Sequence, residues 1–370
     1  MISKKIVKIF SIMCVLSLCT QISTVSASTL ETNESKEKPF TLKLELTKDY
    51  IEKVKAKTKS DGNQITIDSN EVKKLVKNKE YLNTLELEGN INIDLSEDNS
   101  INNNNPNNKV GSSGFKLVGV DLDINVKENS LETNETNSNN IDILTEQEVK
   151  EAKGQNKKIK VILNDIVENS DIMPLLDDVG GVNSRTHVYC KQYLYKYENV
   201  SGSGASKQKQ NYYRGVIEWG NDLNSGGKVN VNKYDTATND SIMLGWNQGS
   251  QNSHSSTILT THFNAPYLTT TNFSNWSRIS VSSNPTYCVG YKINNWYSTK
   301  PMKRAQITAY TGWWYPNNVS DNPSVVFYYN NRYTSIALNS VGFSKDGISF
   351  SLSPSQNDDI GQVSGTVPRN

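Results

Sequence analysis

The chain has 370 residues, a formal net charge of +1, 35% hydrophobic residues and 3 histidines. Three histidines scattered along the chain exclude a zinc centre of the usual ligand spacing. After residue 27, no stretch approaches the roughly 20 consecutive apolar residues that a membrane-spanning helix needs.

The N-terminus predicts export. Lys4, Lys5 and Lys8 form a basic start, Ile9 to Cys19 a short apolar core, and Val25-Ser26-Ala27 a small-residue cleavage site before Ser28. Together they form a secretory signal peptide over residues 1–27. Lipid attachment at Cys19 is disfavoured, because the large Leu18 stands where processing wants a small residue. Cys14 and Cys19 leave with the signal, so the exported chain keeps Cys190 and Cys288. Two cysteines in an oxidising compartment are expected to pair. Closing a loop of that length is worth about 4–5 kcal/mol in chain entropy. The alternative is two buried thiols. His187, three residues from Cys190, falls on the opposite face of a strand, which does not suit a catalytic pair.

Composition divides the remainder. Residues 28–181 carry 29 acidic and 20 basic residues, a net of −9, and no tryptophan. Residues 182–370 carry 9 acidic and 16 basic residues, a net of +7, and all 6 tryptophans. The boundary is placed at 181/182, in a glycine-bearing polar stretch.

The acidic region reads as α+β. Phe40 to Leu46 alternates as a strand, Lys48 to Lys57 is helical, and Gln64 to Ile67 is a second strand. Ile141 to Leu144 precedes Thr145-Glu146-Gln147-Glu148, a capping box that opens a short helix. Gly154 is its expected stop, and a strand over Ile159 to Leu163 follows. LTKDYIEKVKAK and LTEQEVKEAKGQ resemble two diverged copies of one unit. Glu97 to Asn108 and Glu128 to Asn140 are low-complexity polar loops.

The basic region reads as all-β. Expected strands are Val188–Tyr197, Tyr212–Trp219, one starting at Val229, Ile242–Trp246, Ile258–Phe263, Arg278–Val281 and Tyr287–Ile293. Three C-terminal runs within Ala305 to Leu352 complete them. Asp346-Gly347 is the best hairpin turn. About nine or ten short strands indicate an antiparallel sandwich or barrel. The fold class is therefore an α+β N-terminal region followed by an all-β antiparallel sandwich-like domain.

Catalytic signatures are sparse. Glu218 and Asp222 in VIEWGNDLNSGG are paired carboxylates near a tryptophan, which a glycan hydrolase would need across a groove. Gly220-Asn221 between them indicates that the strand has already ended. His254 and His262 would lie roughly 26 Å apart on one strand, too far to share a metal. The polar loop Asp235 to Asp240 lacks the glycine and terminal glutamate of a calcium loop. No catalytic residue, metal or cofactor is assigned. The serine- and threonine-rich run from Ser255 to Ser283 has only brief alternation and contains Pro266, a poor match to a pore-forming hairpin.

The aromatic surplus is the functional lead. In Trp313-Trp314 and Tyr328-Tyr329, neighbours on extended backbone face opposite ways, so one of each pair can fill the core while the other faces out. Trp296, Trp313, Trp314 and Tyr333 are the candidate ligand-binding residues. Outward rings stack on sugars, and the +7 charge attracts an anionic cell-wall polymer. The expected function is a secreted, non-catalytic binding protein for cell-envelope or extracellular glycan. A membrane surface is a second candidate partner, and nucleic acid is not expected for an exported chain. The alternatives are a secreted toxin or bacteriocin-like effector with an acidic pro-region, and a glycan hydrolase using Glu218.

The secreted protein should begin at Ser28 with Cys190 and Cys288 bonded. Intact mass before and after alkylation without reductant tests both points, and uptake of two alkyl groups would disprove the bridge.

Overall fold

The computed structural model describes residues 39–57, 64–95, 114–128, 143–163, 190–219, 241–249, 251–260, 269–270, 276–278, 287–293, 302–331, 338–344, 347–352 and 359–369. The signal segment and the two polar loops centred near residues 103 and 134 lie outside them. The described chain is mostly β with few helices. Its acidic part contains β1 (Thr41–Thr47), β2 (Gln64–Asp68), β3 (Leu85–Glu88), β4 (Asn90–Asp94), β5 (Lys116–Asn125), β6 (Lys127–Glu128) and β7 (Ile159–Ile162). Helices α1 (Lys48–Lys57), α2 (Ser69–Leu75) and α3 (Glu146–Gly154) interleave with them. The basic part contains β8 (Cys190–Ser201), β9 (Gln208–Trp219), β10 (Ser241–Trp246), β11 (Gln251–Thr260), β12 (Thr269–Thr270), β13 (Trp276–Arg278) and β14 (Cys288–Ile293). It ends with β15 (Met302–Thr311), β16 (Ser324–Asn331), β17 (Leu338–Ser344), β18 (Gly347–Leu352) and β19 (Asp359–Thr366).

Local chemistry explains the helix starts. Asp68 accepts from the backbone N–H groups of Asn70 and Glu71 at 2.9 Å each, which caps α2. Thr145 and Glu148 form the expected reciprocal box at α3. The end of α3 differs from expectation. Gly154 is its last helical residue, and the left-handed position is Asn156 at φ 55°. Asparagine tolerates that region better than most residues, so it replaces glycine as the stop.

A seven-stranded antiparallel sheet runs β1-β5-β8-β9-β15-β11-β12. A second, five-stranded sheet runs β13-β14-β10-β16-β19. The first sheet has an apolar cluster on each face. On one face, Leu42, Leu44 and Leu46 of β1, Val120, Leu122 and Ile124 of β5, and Tyr193, Tyr195 and Tyr197 of β8 pack under α1–α3 and the small sheets β2-β4 and β3-β7-β6. On the other face, Leu194, Tyr213, Ile217 and Ile307 meet Ile242, Leu244, Trp246, Phe327 and Val363 of the five-stranded sheet. Two antiparallel sheets face to face give the sandwich-like part of the fold. The α+β elements form an outer layer on the opposite face.

Composition changes at 181/182, but the hydrogen-bonded sheet spans that position. β5 of the acidic region pairs with β8 of the basic region from Lys116↔Glu198 to Ile124↔Lys191. Phe115 adds edge contacts to Tyr212 and Tyr310 at 6.0 and 5.6 Å between ring centroids. Cys190 opens β8 in one sheet and Cys288 is buried on β14 in the other, so the proposed bridge would link the two. The Cys190 side chain is outside the described ones.

Leu122 lies in the ladder between β1 and β8 and is fully buried. Leu122→Ala should cost about 2–5 kcal/mol. Calorimetry should show one transition moved as a whole. Two transitions with only one displaced would contradict a sheet shared by both regions.

Candidate functional site

The site is the segment that continues β15 beyond its end, Thr311 to Val319. Tyr310 still opposes Tyr212 of β9 in regular register. Four residues on, Trp314 opposes Lys209 through two backbone hydrogen bonds of 2.8 Å each. Thr311, Gly312 and Trp313 therefore run against only Gln210 and Asn211, so the segment carries one extra residue. Such a bulge bends the strand and re-aims its side chains. Two of the polar groups beside it bond to Thr311. Gln210 donates from its side chain to the Thr311 carbonyl at 2.9 Å, and the Asn211 N–H donates to Thr311 Oγ1 at 3.0 Å.

The bulge is anchored from beneath. Trp246, fully buried in the core, donates its indole N–H to the Gly249 carbonyl at 2.8 Å. Gly249 has φ +74°, and a Cβ there would come within 2.9 Å of the Gly312 carbonyl. Only glycine permits both the backbone conformation and that approach. Beyond the bulge, Pro316 opens a 3₁₀ turn, Pro316–Asn318. The Arg369 guanidinium then donates to the carbonyls of Val319 and Ser320 at 2.8 and 2.7 Å.

On this clamped segment, Trp314 is 3% exposed while Trp313 and Tyr315 are each 44% exposed. Trp314 shares the inward side with Lys209, so its two neighbours on extended backbone point the other way. The result is a pair of outward aromatic rings on rigid backbone. Trp313 is thus available to a ligand and Trp314 is not. Tyr315 was absent from the candidates by sequence, although its two-residue spacing from Trp313 was the available signal. Trp296 and Tyr333 lie outside the described residues.

Other candidates fall differently. Tyr328 and Tyr329 are both buried. The inward face of β16 packs on the core, and β18 packs on the same strand, so neither tyrosine forms a platform. Glu218 accepts from the Tyr193 hydroxyl at 3.2 Å and sits between Lys191 and Arg304 in the ladder. Asp222 lies outside the described residues, so no carboxylate pair is described at this point. His254 is on β11, where the backbone alone is described, and His187, His262 and the Asp235 to Asp240 loop fall outside. Among the described residues, no group of three or more histidine, cysteine or acidic residues could hold a metal. Nor is any helix among them long and apolar enough to cross a membrane.

No protein-family model matches the chain, and no curated protein matches it. Among solved structures, one similar chain comes from "pH-induced modulation of Streptococcus parasanguinis adhesion by Fap1 fimbriae". It shares 10% identity over 45% of this chain and 88% of that chain, with a TM-score of 0.21. A likeness of that size carries no functional weight.

Proposed function

We propose that this is an exported, non-catalytic protein that binds cell-envelope or extracellular glycan through Trp313 and Tyr315. The observation that supports it most is the exposure of two large aromatic rings, two residues apart, on a segment held from both ends. An aromatic ring loses little freedom on binding, and a segment already fixed loses less still. Stacking on the apolar face of a sugar ring is then favourable with little ordering cost. The amide-bearing Gln208 opens the neighbouring strand β9, is partly exposed, and supplies a polar group of the kind that hydrogen-bonds to sugar hydroxyls. The net charge of +7 over residues 182–370 favours an anionic wall polymer over a neutral one. Export rests on the signal pattern of residues 1–27.

Trp313→Ala and Tyr315→Ala should each leave the melting temperature unchanged. Each should weaken retention on purified cell walls roughly tenfold, as expected for loss of about 1–2 kcal/mol of stacking. Trp314→Ala should instead unfold the segment at about 3–5 kcal/mol. Thermal melting beside wall pull-down reads both. Normal wall binding by the folded Trp313→Ala/Tyr315→Ala double variant would remove the platform from consideration.

A further inference from the structure

One pair of buried ionisable groups is set apart from the rest. Lys196 of β8 places Nζ 2.5 Å from Asp121 Oδ2 of β5, with the side chains 3% and 1% exposed. The two are diagonal neighbours in the β5–β8 ladder, since Lys196 opposes Gly119 and Asp121 opposes Leu194. Glycines wall the pair in. A Cβ on Gly119 would stand 3.1 Å from Lys196 Cε. A Cβ on Gly365 of β19 would overlap the Asp121 carboxylate and lie 2.9 Å from Lys196 Nζ. Nζ also donates to the Thr366 carbonyl at 3.0 Å. The slot fits an amine and a carboxyl and little else.

We propose that Lys196 and Asp121 condense to an intramolecular amide that joins β5 to β8 covalently. An amine attacks, and a carboxyl group is attacked, in their neutral forms. Proton transfer from Nζ to the carboxylate gives that neutral pair. The amine lone pair then attacks Cγ of Asp121, forming the C–N bond. The developing negative charge falls on Oδ1, which the Lys77 ammonium already holds at 2.7 Å. Oδ2 departs as water with the proton received from Nζ and a second one released as the amide forms. An amine and a carboxylic acid thus become an amide and one water, with no oxidant, reductant or activating group required. Fixed proximity supplies the drive that the same reaction lacks in solution.

Asp123 is suited to carry the second proton. It lies two residues along the same face of β5, and burial pushes its carboxyl up to about 7, opposed by Lys43 and reinforced by Asp121. It can therefore take and return a proton near neutral pH. Glu45 lies opposite Asp121 on β1 and pairs with Lys77 at 3.2 Å, which holds that ammonium in place. The other buried lysine pair, Lys209 with Glu198 at 2.7 Å, serves as an internal comparison. Glu198 keeps 14% of its side chain exposed, so that pair is within reach of solvent where the Lys196–Asp121 pair is not.

The test is mass spectrometry of the full exported protein after reduction and alkylation. The intact mass should fall short of the sequence by one water. Trypsin should yield residues 117–127 joined to residues 192–207, with no cleavage after Lys196. Lys196→Arg, which keeps the charge, should show the full sequence mass. Asp121→Asn should lose ammonia in place of water if it condenses. Asp123→Ala should leave a larger share of chains uncondensed. A wild-type mass equal to the sequence would overturn the proposal, as would a water loss located at any other residue pair.

Discussion

The middle of the seven-stranded sheet, β5, β8 and β9, is buried on both faces over much of its length, and the rest of the structure depends on that. A sheet with one wet face can place polar side chains outward, but β5, β8 and β9 have no such outlet over much of their length. Tyr193, Tyr195 and Tyr197 serve one cluster while Leu194 serves the other. Polar residues in these strands therefore depend on partners inside the protein. The Arg214 guanidinium lies 4.0 Å from the Tyr195 ring centroid. Lys209 reaches Glu198 and the Pro368 carbonyl, and the Tyr195 hydroxyl donates to the Asp94 carbonyl at 2.7 Å. These contacts do not enlarge the apolar core. They fix which strand neighbours which, because a slipped register would leave charges buried without partners.

The same requirement fixes the candidate site from a distance. Lys196 and Lys209, both on the central sheet, donate to the carbonyls of Thr366 and Pro368. Between those two, the Val367 N–H donates to the Pro323 carbonyl at 2.8 Å. The tail then delivers Arg369 to Val319 and Ser320, just past the exposed rings. On the other side, Trp246 holds Gly249 against the bulge. The platform owes its rigidity to a buried lysine pair and a buried tryptophan, neither of which would touch a ligand. Substitutions at those positions would alter binding through geometry while the rings stayed intact.

Much of this architecture was legible in the sequence where one physical signal acted alone. The capping box at Thr145 needs only local residues, and the β-branched and aromatic residues within Ala305–Thr311 and Ser324–Tyr329 are dense enough to declare two strands. The hairpin before Gly347 was legible with a shift of one, since Gly347 already pairs with Ser344. β5 was not legible. Its outward-looking acids, Asp121 and Asp123, imitate a solvated face and adjoin low-complexity sequence. They are buried because lysines from β1, from the segment after α2 and from β8 reach them, and those lysines lie far away in the chain. The parallel pairing of β3 with β7 across more than seventy residues was hidden for the same reason. At the site, alternation correctly separated Trp313 from Trp314. It failed at Tyr328-Tyr329, where a strand covered on both faces gives alternation no solvent side to indicate.

Charge composition records which surfaces meet solvent and says nothing about where hydrogen bonds run. That distinction bears on the acidic region. Were it a cover shed on maturation, β8 would keep β9 but lose β5 and become a long exposed edge, a state that folded sheets avoid. Tyr193, Tyr195, Tyr197 and Tyr212 would at the same time lose the aliphatic layer of Leu122, Ile124 and their neighbours that packs against them. The opposite charges of the two regions, −9 and +7, add a screened attraction to contacts that are mainly apolar and backbone-mediated. Salt alone should therefore not part them. The acidic region is thus better understood as the outer layer and edge of the central sheet, and the rigidity of the aromatic platform draws on it through β8 and β9.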